Sequence, residues 1–223
     1  MRLSIVMPVL DEAAGIGPVL AALQPLRAQG VELVVADGGS GDATPALARP
    51  LADAVIGTPR GRARQMNAGA AVARGDALLF LHADTLLPGG ALAAVASALA
   101  GGAAWGRFDV AIDGRPRMLR VVAAMMNRRS RWTGIATGDQ AIFVTRAAFR
   151  AVGGFPDQPL MEDVELSRRL KRLGRPACLR LCVHTAGRRW EQRGVWRTIA
   201  LMWGLRLGYF LGAAPARLAR WYR

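Results

Sequence analysis

The sequence predicts an α/β domain: a mostly parallel sheet with helices on both faces and a helical appendage at the C-terminus. Three observations carry this. Short apolar runs alternate with helical patterns over residues 1–81, and strands alternating with helices at that spacing imply parallel pairing under a helical cover. The chain has 223 residues, enough for one substantial α/β domain and too few for two with full cores. It is 52% hydrophobic and 21% charged, the balance of a globular chain rather than a disordered one.

Residues 3–7 read as a buried strand whose end Pro8 marks. An Ala/Leu-rich stretch over 16–29 reads as a helix, and 31–36 as a second strand. The run Asp37-Gly38-Gly39-Ser40-Gly41-Asp42 is a turn, after which Thr44-Pro45 opens a helix with proline at its first position. A third strand at 54–56, a helix at 62–74 and a fourth strand at 77–81 complete the regular half. Beyond it, 105–112, 141–144 and 179–183 read as strands, and 117–127 and 162–173 as helices. Residues 195–214 are helical and mostly apolar. With no repeat, low-complexity tract or linker, the chain divides into one domain over 1–193 and a C-terminal part over 194–223. In open α/β sheets ligands bind at the carboxyl ends of the strands. The residues just after strands one, two and four are Glu12, Asp37 and His82-Ala83-Asp84, so these carboxylates are expected on one edge.

The formal charge is 30 − 16 = +14, with Lys171 the one lysine among the basic residues. Such an excess points to anionic partners: nucleotide diphosphates, lipid phosphates or an acidic membrane surface. The arginines are scattered and no nucleic-acid-binding signature accompanies them, so nucleic acid is disfavoured as a partner. Cys178 and Cys182 on one strand would sit about 13 Å apart, too far to bridge. They read as reduced, buried thiols of a cytoplasmic protein. The first apolar stretch, 3–10, is broken by Pro8 and followed by Asp11 and Glu12, unlike a signal peptide.

A dinucleotide-binding fold needs a glycine fingerprint straight after its first strand, where this chain has Met7-Pro8-Val9-Leu10-Asp11-Glu12. Five segments stand in order instead: Pro8-Val9-Leu10-Asp11-Glu12; Asp37-Gly38-Gly39-Ser40; Gly61-Arg62 through Asn67-Ala68-Gly69; His82-Ala83-Asp84; and Gly153-Gly154-Phe155 followed by Glu162-Asp163. Together they resemble family 2 glycosyltransferases of the GT-A fold. Within that family the chain looks most like the subgroup found beside radical-SAM and selenium-related genes, the arsenosugar-biosynthesis type. That finer resemblance rests on Gly138-Asp139-Gln140, Leu160-Met161-Glu162-Asp163 and Arg188-Arg189-Trp190.

The resemblance implies an inverting transfer of a sugar from a nucleotide-sugar donor, with UDP favoured, to an acceptor hydroxyl, small or lipid-linked, with Mg²⁺ or Mn²⁺. It implies that Asp37 accepts from the uracil imide while Pro8 and Glu12 shape the base and ribose pocket. The competing role for Asp37 is a turn former ahead of two glycines. Arg62 is expected to face the nucleotide and Asn67 to border the same pocket, whereas Arg64 reads as part of a solvated helix face. His82-Ala83-Asp84 occupies the place of the family's Asp-x-Asp motif. Asp84 becomes the metal ligand, against the alternative of a helix N-cap. His82, a departure from the family pattern, can donate to a ribose hydroxyl or phosphate, or ligate metal. His184 is a candidate extra metal ligand or a structural histidine. Asp163 is the implied base, taking the acceptor's hydroxyl proton; the bland reading of Glu162-Asp163 is a carboxylate pair at a helix N-terminus. Gly138, Asp139 and Gln140 are expected beside the donor sugar, and Arg188, Arg189 and Trp190 to clamp the diphosphate or close as a lid.

Two rivals remain. A nucleotidyltransferase would carry a glycine-rich phosphate loop with a basic residue after the first strand, which this chain lacks. A non-catalytic nucleotide-sugar-binding protein would explain the missing first Asp of the metal motif, but not the presence of Asp84 and Asp163.

At the C-terminus, only the eight residues 198–205 separate Arg197 from Arg206, so no uninterrupted span of ~20 apolar residues can cross a bilayer. Trp196, Ile199, Trp203, Leu207 and Phe210 fall on one helical face, and Arg217, Arg220 and Arg223 follow beside Trp221 and Tyr222. The pattern suits a helix lying at the inner face of an anionic membrane. It equally suits packing on the domain or a homodimer contact.

Overall fold

The computed structural model describes residues 1–222. Its strands and helices alternate as β1 (Leu3–Val9), α1 (Ala13–Ala28), β2 (Glu32–Asp37), α2 (Thr44–Ala48), β3 (Ala54–Gly57), α3 (Arg62–Val72), β4 (Ala77–Phe80) and β5 (Thr85–Leu86). The second half continues as α4 (Ala91–Ala100), β6 (Trp105–Asp113), α5 (Met118–Thr133), β7 (Phe143–Thr145), α6 (Arg146–Ala151), α7 (Glu162–Leu170) and β8 (Ala177–Ala186). Three helices close the chain: α8 (Arg188–Arg193), α9 (Val195–Phe210) and α10 (Pro215–Tyr222).

One sheet runs through the molecule in the order β3-β2-β1-β4-β7-β6-β8-β5. The expected parallel pairing holds for β3, β2, β1 and β4 and returns between β6 and β8. The insertion of β7, antiparallel to both β4 and β6, makes the sheet mixed. Every residue of β1 and β2 is buried, as a strand covered on both faces requires. Successive side chains take opposite faces: Ile5, Met7, Leu33 and Leu79 join the core under α1 and α5, while Val6, Val34, Leu78 and Phe80 join the core under α3 and α7. β1 runs on past Pro8 because its ladder with β4 ends at Val6 and Phe80, so the missing N–H of proline interrupts no pairing there.

Several elements differ from the sequence reading. β8 extends to Ala186, well past the expected end, because β6 supports it as far as Asp113. α4 starts at Ala91 after Gly90, which offers no side-chain cap, so no start signal marked it. Cys178 and Cys182 both lie on β8 as free thiols, half-buried rather than buried. The helix expected over 195–214 ends at Phe210 as α9, Gly212 follows in a left-handed conformation (φ 90°), and α10 is a further helix beyond the expected end. These helices fold back on the domain, where Leu205 and Leu218 pack against Leu160 and Met161. Ile199, expected on the outer face, is half-buried against the main core. Arg223 lies outside the described residues. Among the described residues no helix is long and apolar enough to cross a membrane.

Candidate active site

The carboxyl ends of β1 and β4 open into a cleft of about 670 Å³. Its lining begins with Pro8 and Glu12 after β1, Arg62 at the head of α3, and His82 and Asp84 after β4. Gly138 and Asp139 enter from a 3-10 turn (Gly138–Gln140), and Glu162 and Asp163 from the first turn of α7. Arg188, Arg189 and Trp190 of α8 also line it, together with Met202, Leu205 and Arg206 of α9. Most of the sequence-predicted site thus comes together.

The 3-10 turn organises the centre. Its Gly138 amide donates to Asp163 Oδ2 at 2.8 Å, and the Val164 amide donates to Oδ1 at 2.7 Å. Asp139 Oδ1 lies 3.3 Å from His82 Nδ1. A Cβ on Gly138 would come within 2.5 Å of the His82 ring, so only glycine lets the imidazole sit beneath the turn. Left-handed backbone at Ala141 (φ 46°) and Met161 (φ 64°) flanks this centre. Such strain in non-glycine residues gathers at functional sites.

Burial pushes the Asp163 carboxyl above its ordinary range, against the two amide hydrogen bonds that favour the carboxylate. Burial also raises Glu162, and the neighbouring charge of Asp163 adds to that. Burial raises Glu12 too, opposed by Arg188, whose Nη2 is 3.5 Å from Glu12 Oε2. For Asp139, burial works upward, but the hydrogen bond and charge of His82 hold it below the usual range. Arg189 is lowered by burial and then by Arg62, a sign of crowded positive charge on this wall. α8 is tied to α10, with the Arg189 guanidinium 4.6 Å from the centre of the Tyr222 ring.

Asp84 faces the cleft half-buried, and its carboxylate is met by the Thr85 hydroxyl at 3.4 Å. Its backbone is fixed to β8, since the Ala186 amide donates to Asp84 O at 3.1 Å. Among the described residues no group of three or more His, Cys, Asp or Glu side chains is arranged to hold a metal ion.

Four expected site residues do not face the cleft. Asp37 is buried and turned into its own loop, accepting from the amides of Gly39 and Ser40 at 3.1 Å and from the Ser40 hydroxyl at 2.5 Å. It fills the turn-forming role. Asn67 brackets Phe155, donating to its carbonyl at 2.8 Å and accepting from its amide at 2.9 Å. Gln140 is fully buried and braces the 3-10 turn from behind, accepting from the Thr137 amide at 3.2 Å. His184 is exposed, with Nδ1 3.0 Å from Asp113 Oδ1. On β8 it is Thr185, its neighbour, that lines the cleft, so His184 points to the other face and is not placed to join Asp84 at a metal. Arg64 forms an exposed pair with Asp157 at 2.8 Å, as a solvated helix face should.

Other lining residues escaped the sequence reading. Gln65, buried on α3, donates to Val9 O at 2.7 Å and Ala36 O at 2.9 Å, stitching the ends of β1 and β2 together. Arg60, Arg193 and Arg206 add positive charge to the walls. Their only signal was the general arginine excess, which names no position.

A family model described as glycosyl transferase family 2 matches residues 4–152, two thirds of the chain. The chain belongs to glycosyl transferase family 2. S. aureus TarS aligns with it at a TM-score of 0.67 and 17% identity, over 84% of this chain and 61% of that one. The mannosyltransferase PcManGT of Pyrobaculum calidifontis, solved with GDP-Man and Mn²⁺, aligns at 0.67 and 23% identity, over 99% of this chain and 68% of that one. Glucosyl-3-phosphoglycerate synthase of Mycobacterium tuberculosis, solved with Mn²⁺, UDP and glucosyl-3-phosphoglycerate, aligns at 0.61 and 20% identity, over 82% and 70%. These likenesses show the GT-A fold. The chain spans 61% of the TarS chain that it matches. No curated protein sequence matches it, and nothing in the matches bears on the arsenosugar-biosynthesis subgroup.

Proposed function

We propose that the protein is an inverting glycosyltransferase that moves a sugar from a UDP-linked donor to an acceptor hydroxyl. The observation that carries this reading is Asp163: a carboxyl lining the cleft, oriented by two backbone amides and raised by burial. A base with its pKa raised toward the working pH is suited to taking the acceptor proton. As that proton leaves, the acceptor oxygen attacks the anomeric carbon from the face opposite the departing diphosphate.

Arg62, Arg188 and Arg189 line the cleft and bind the diphosphate through charge-assisted hydrogen bonds. Pro8 and Glu12 border the nucleoside, and Trp190 lines the same cleft. His82, steadied by Asp139, orients the donor sugar or ribose. A divalent metal, Mg²⁺ or Mn²⁺, fits Asp84 on the donor chemistry available: one carboxylate facing the cleft, with the phosphates of the donor supplying further oxygens, as Mg²⁺ sites with nucleotides do. A metal there supplies neutralisation of charge on the leaving diphosphate. On this reading the enzyme works in the cytoplasm, at the inner face of a membrane, on a small or lipid-linked hydroxyl acceptor. The division into a catalytic domain over 1–193 and a C-terminal part over 194–223 belongs to the same reading, as does the subgroup resemblance of the motifs around Gly138, Met161 and Arg188.

The test is calorimetric titration of UDP and GDP with and without Mn²⁺, followed by nucleotide release from a panel of UDP-sugars. Tighter UDP binding with metal and UDP release from one sugar are expected. A chain that binds neither nucleotide overturns the proposal.

A further inference from the structure

Helix α9 has two faces with different roles. Its inner face, with Thr198 and Leu205 buried and Met202 and Arg206 half-buried, lines the cleft. Leu205 and the α10 residue Leu218 complete the packing against Leu160 and Met161. Among the described residues the outer face has no such partner. Trp196, Ala200, Trp203, Leu207 and Leu211 recur at steps of four and three residues and are all exposed, with Phe210 beside them. Trp203 is 66% exposed and Phe210 86%. Contiguous exposed apolar surface of this kind marks an interaction site.

The charge pattern selects the partner. α9 and α10 contain Arg197, Arg206, Arg217 and Arg220 and no Asp or Glu. Arg197 lies exposed on the edge of the stripe, and Arg217 and Arg220 are exposed beside the exposed Trp221. A second copy meeting this face across a two-fold axis would set arginines against arginines. An anionic lipid surface complements them, and tryptophan favours the depth between headgroups and acyl chains. No described helix is built to cross a bilayer, so α9 would lie in its plane.

We propose that the outer face of α9 and α10 docks the protein on an anionic lipid bilayer, with Trp196, Trp203, Leu207 and Phe210 inserted below the headgroups. Since the inner face of α9 walls the cleft, docking holds the cleft mouth at the bilayer surface. The proposal extends the membrane part of the functional reading and stands independently of sugar transfer.

The experiment is sedimentation of the full chain with phosphatidylcholine vesicles, with and without phosphatidylglycerol, at low and high salt. UDP binding and light scattering are measured in parallel. The parent is expected to sediment with the phosphatidylglycerol vesicles at low salt and to be released at high salt. Trp203→Gln combined with Phe210→Gln should weaken vesicle binding by about tenfold, with melting temperature and UDP affinity unchanged. Arg217→Gln combined with Arg220→Gln should flatten the salt dependence. A parent that stays in solution at low salt, or a Trp203/Phe210 double variant that sediments like the parent, overturns the proposal. So does a dimer that the double variant dissolves without any vesicle binding by the parent. Failed UDP binding with intact vesicle binding would count against the glycosyltransferase reading alone.

Discussion

The amide of Gly138 donates to Oδ2 of Asp163 at 2.8 Å, tying the 3-10 turn directly to the head of α7 in the cleft lining. With the Val164 amide on Oδ1, both carboxyl oxygens are held by backbone, so the side chain is aimed before any acceptor arrives. Asp163→Asn keeps the shape and removes the proton acceptor. Turnover should fall by about 10²–10⁴ while calorimetry finds UDP affinity nearly unchanged. An amide can accept only one of the two N–H groups, so a loss of about 1–3 kcal/mol in stability is also expected. Near-normal turnover would remove Asp163 from the role of base. Collapse of the fold would instead mark it as a helix-capping group.

Glu162 predicts a pH dependence of stability. Its folded pKa is raised, by burial first and then by the charge of Asp163. A carboxyl raised in the folded state favours folding below its unfolded pKa, and that contribution is lost as pH rises through the folded value. Glu162→Gln removes this ionisation, so the variant should melt higher than the parent near pH 7 and converge with it in acid. Parent and variant that melt alike near pH 7 would mean that Glu162 is not raised in the folded state.

The strand ends were legible because chain order alone brings Glu12, His82 and Asp84 to one edge of a parallel sheet; the motif at Gly138 added Asp139, and the Glu162-Asp163 pair added Asp163. Legibility failed where a side chain's direction depends on an exact position. The strand expected at 179–183 stops short of His184, and β8 in fact carries Thr185 into the cleft and His184 away from it; a single residue of phase decides the face. Asn67 and Gln140 failed differently. Both sit within recognised motifs, yet their amides satisfy buried backbone groups beside the site. A motif records that a residue type is needed and leaves open whether it meets ligand or scaffold. The rim arginines Arg60, Arg193 and Arg206 carry no local pattern, and only the packing of α8 and α9 gathers two of them.

Gly138→Ala probes the contact between turn and imidazole. The added Cβ would lie 2.5 Å from His82 Cε1 and Nε2, so the ring or the turn must move. Overpacking of this kind costs about 1–3 kcal/mol, and displacing the turn also shifts the amide that holds Asp163. Thermal melting should show the loss and turnover should fall with it. Gly89→Ala is the control, since nothing lies within 4 Å of its Cβ and its backbone is not left-handed. Equal melting of the two variants would show that the turn yields freely.

The metal assignment separates Asp84 from both histidines. Asp84 faces the cleft, and among the described residues its carboxylate has only the long contact from Thr85 at 3.4 Å. His82 is engaged with Asp139, and His184 is engaged with Asp113 outside the cleft. Asp84→Ala should therefore abolish the tightening of UDP binding by Mn²⁺, whereas His184→Ala should leave it as in the parent. His82→Asp restores the family's paired carboxylates next to Asp84 and should preserve or strengthen Mg²⁺ use, because a hard cation prefers carboxylate oxygen to imidazole nitrogen. Calorimetric titration of UDP at fixed Mg²⁺ and Mn²⁺ measures all three. If Asp84→Ala retains the metal effect, another group holds the ion. If His184→Ala loses it, β8 must rearrange around bound nucleotide to turn that side chain inward.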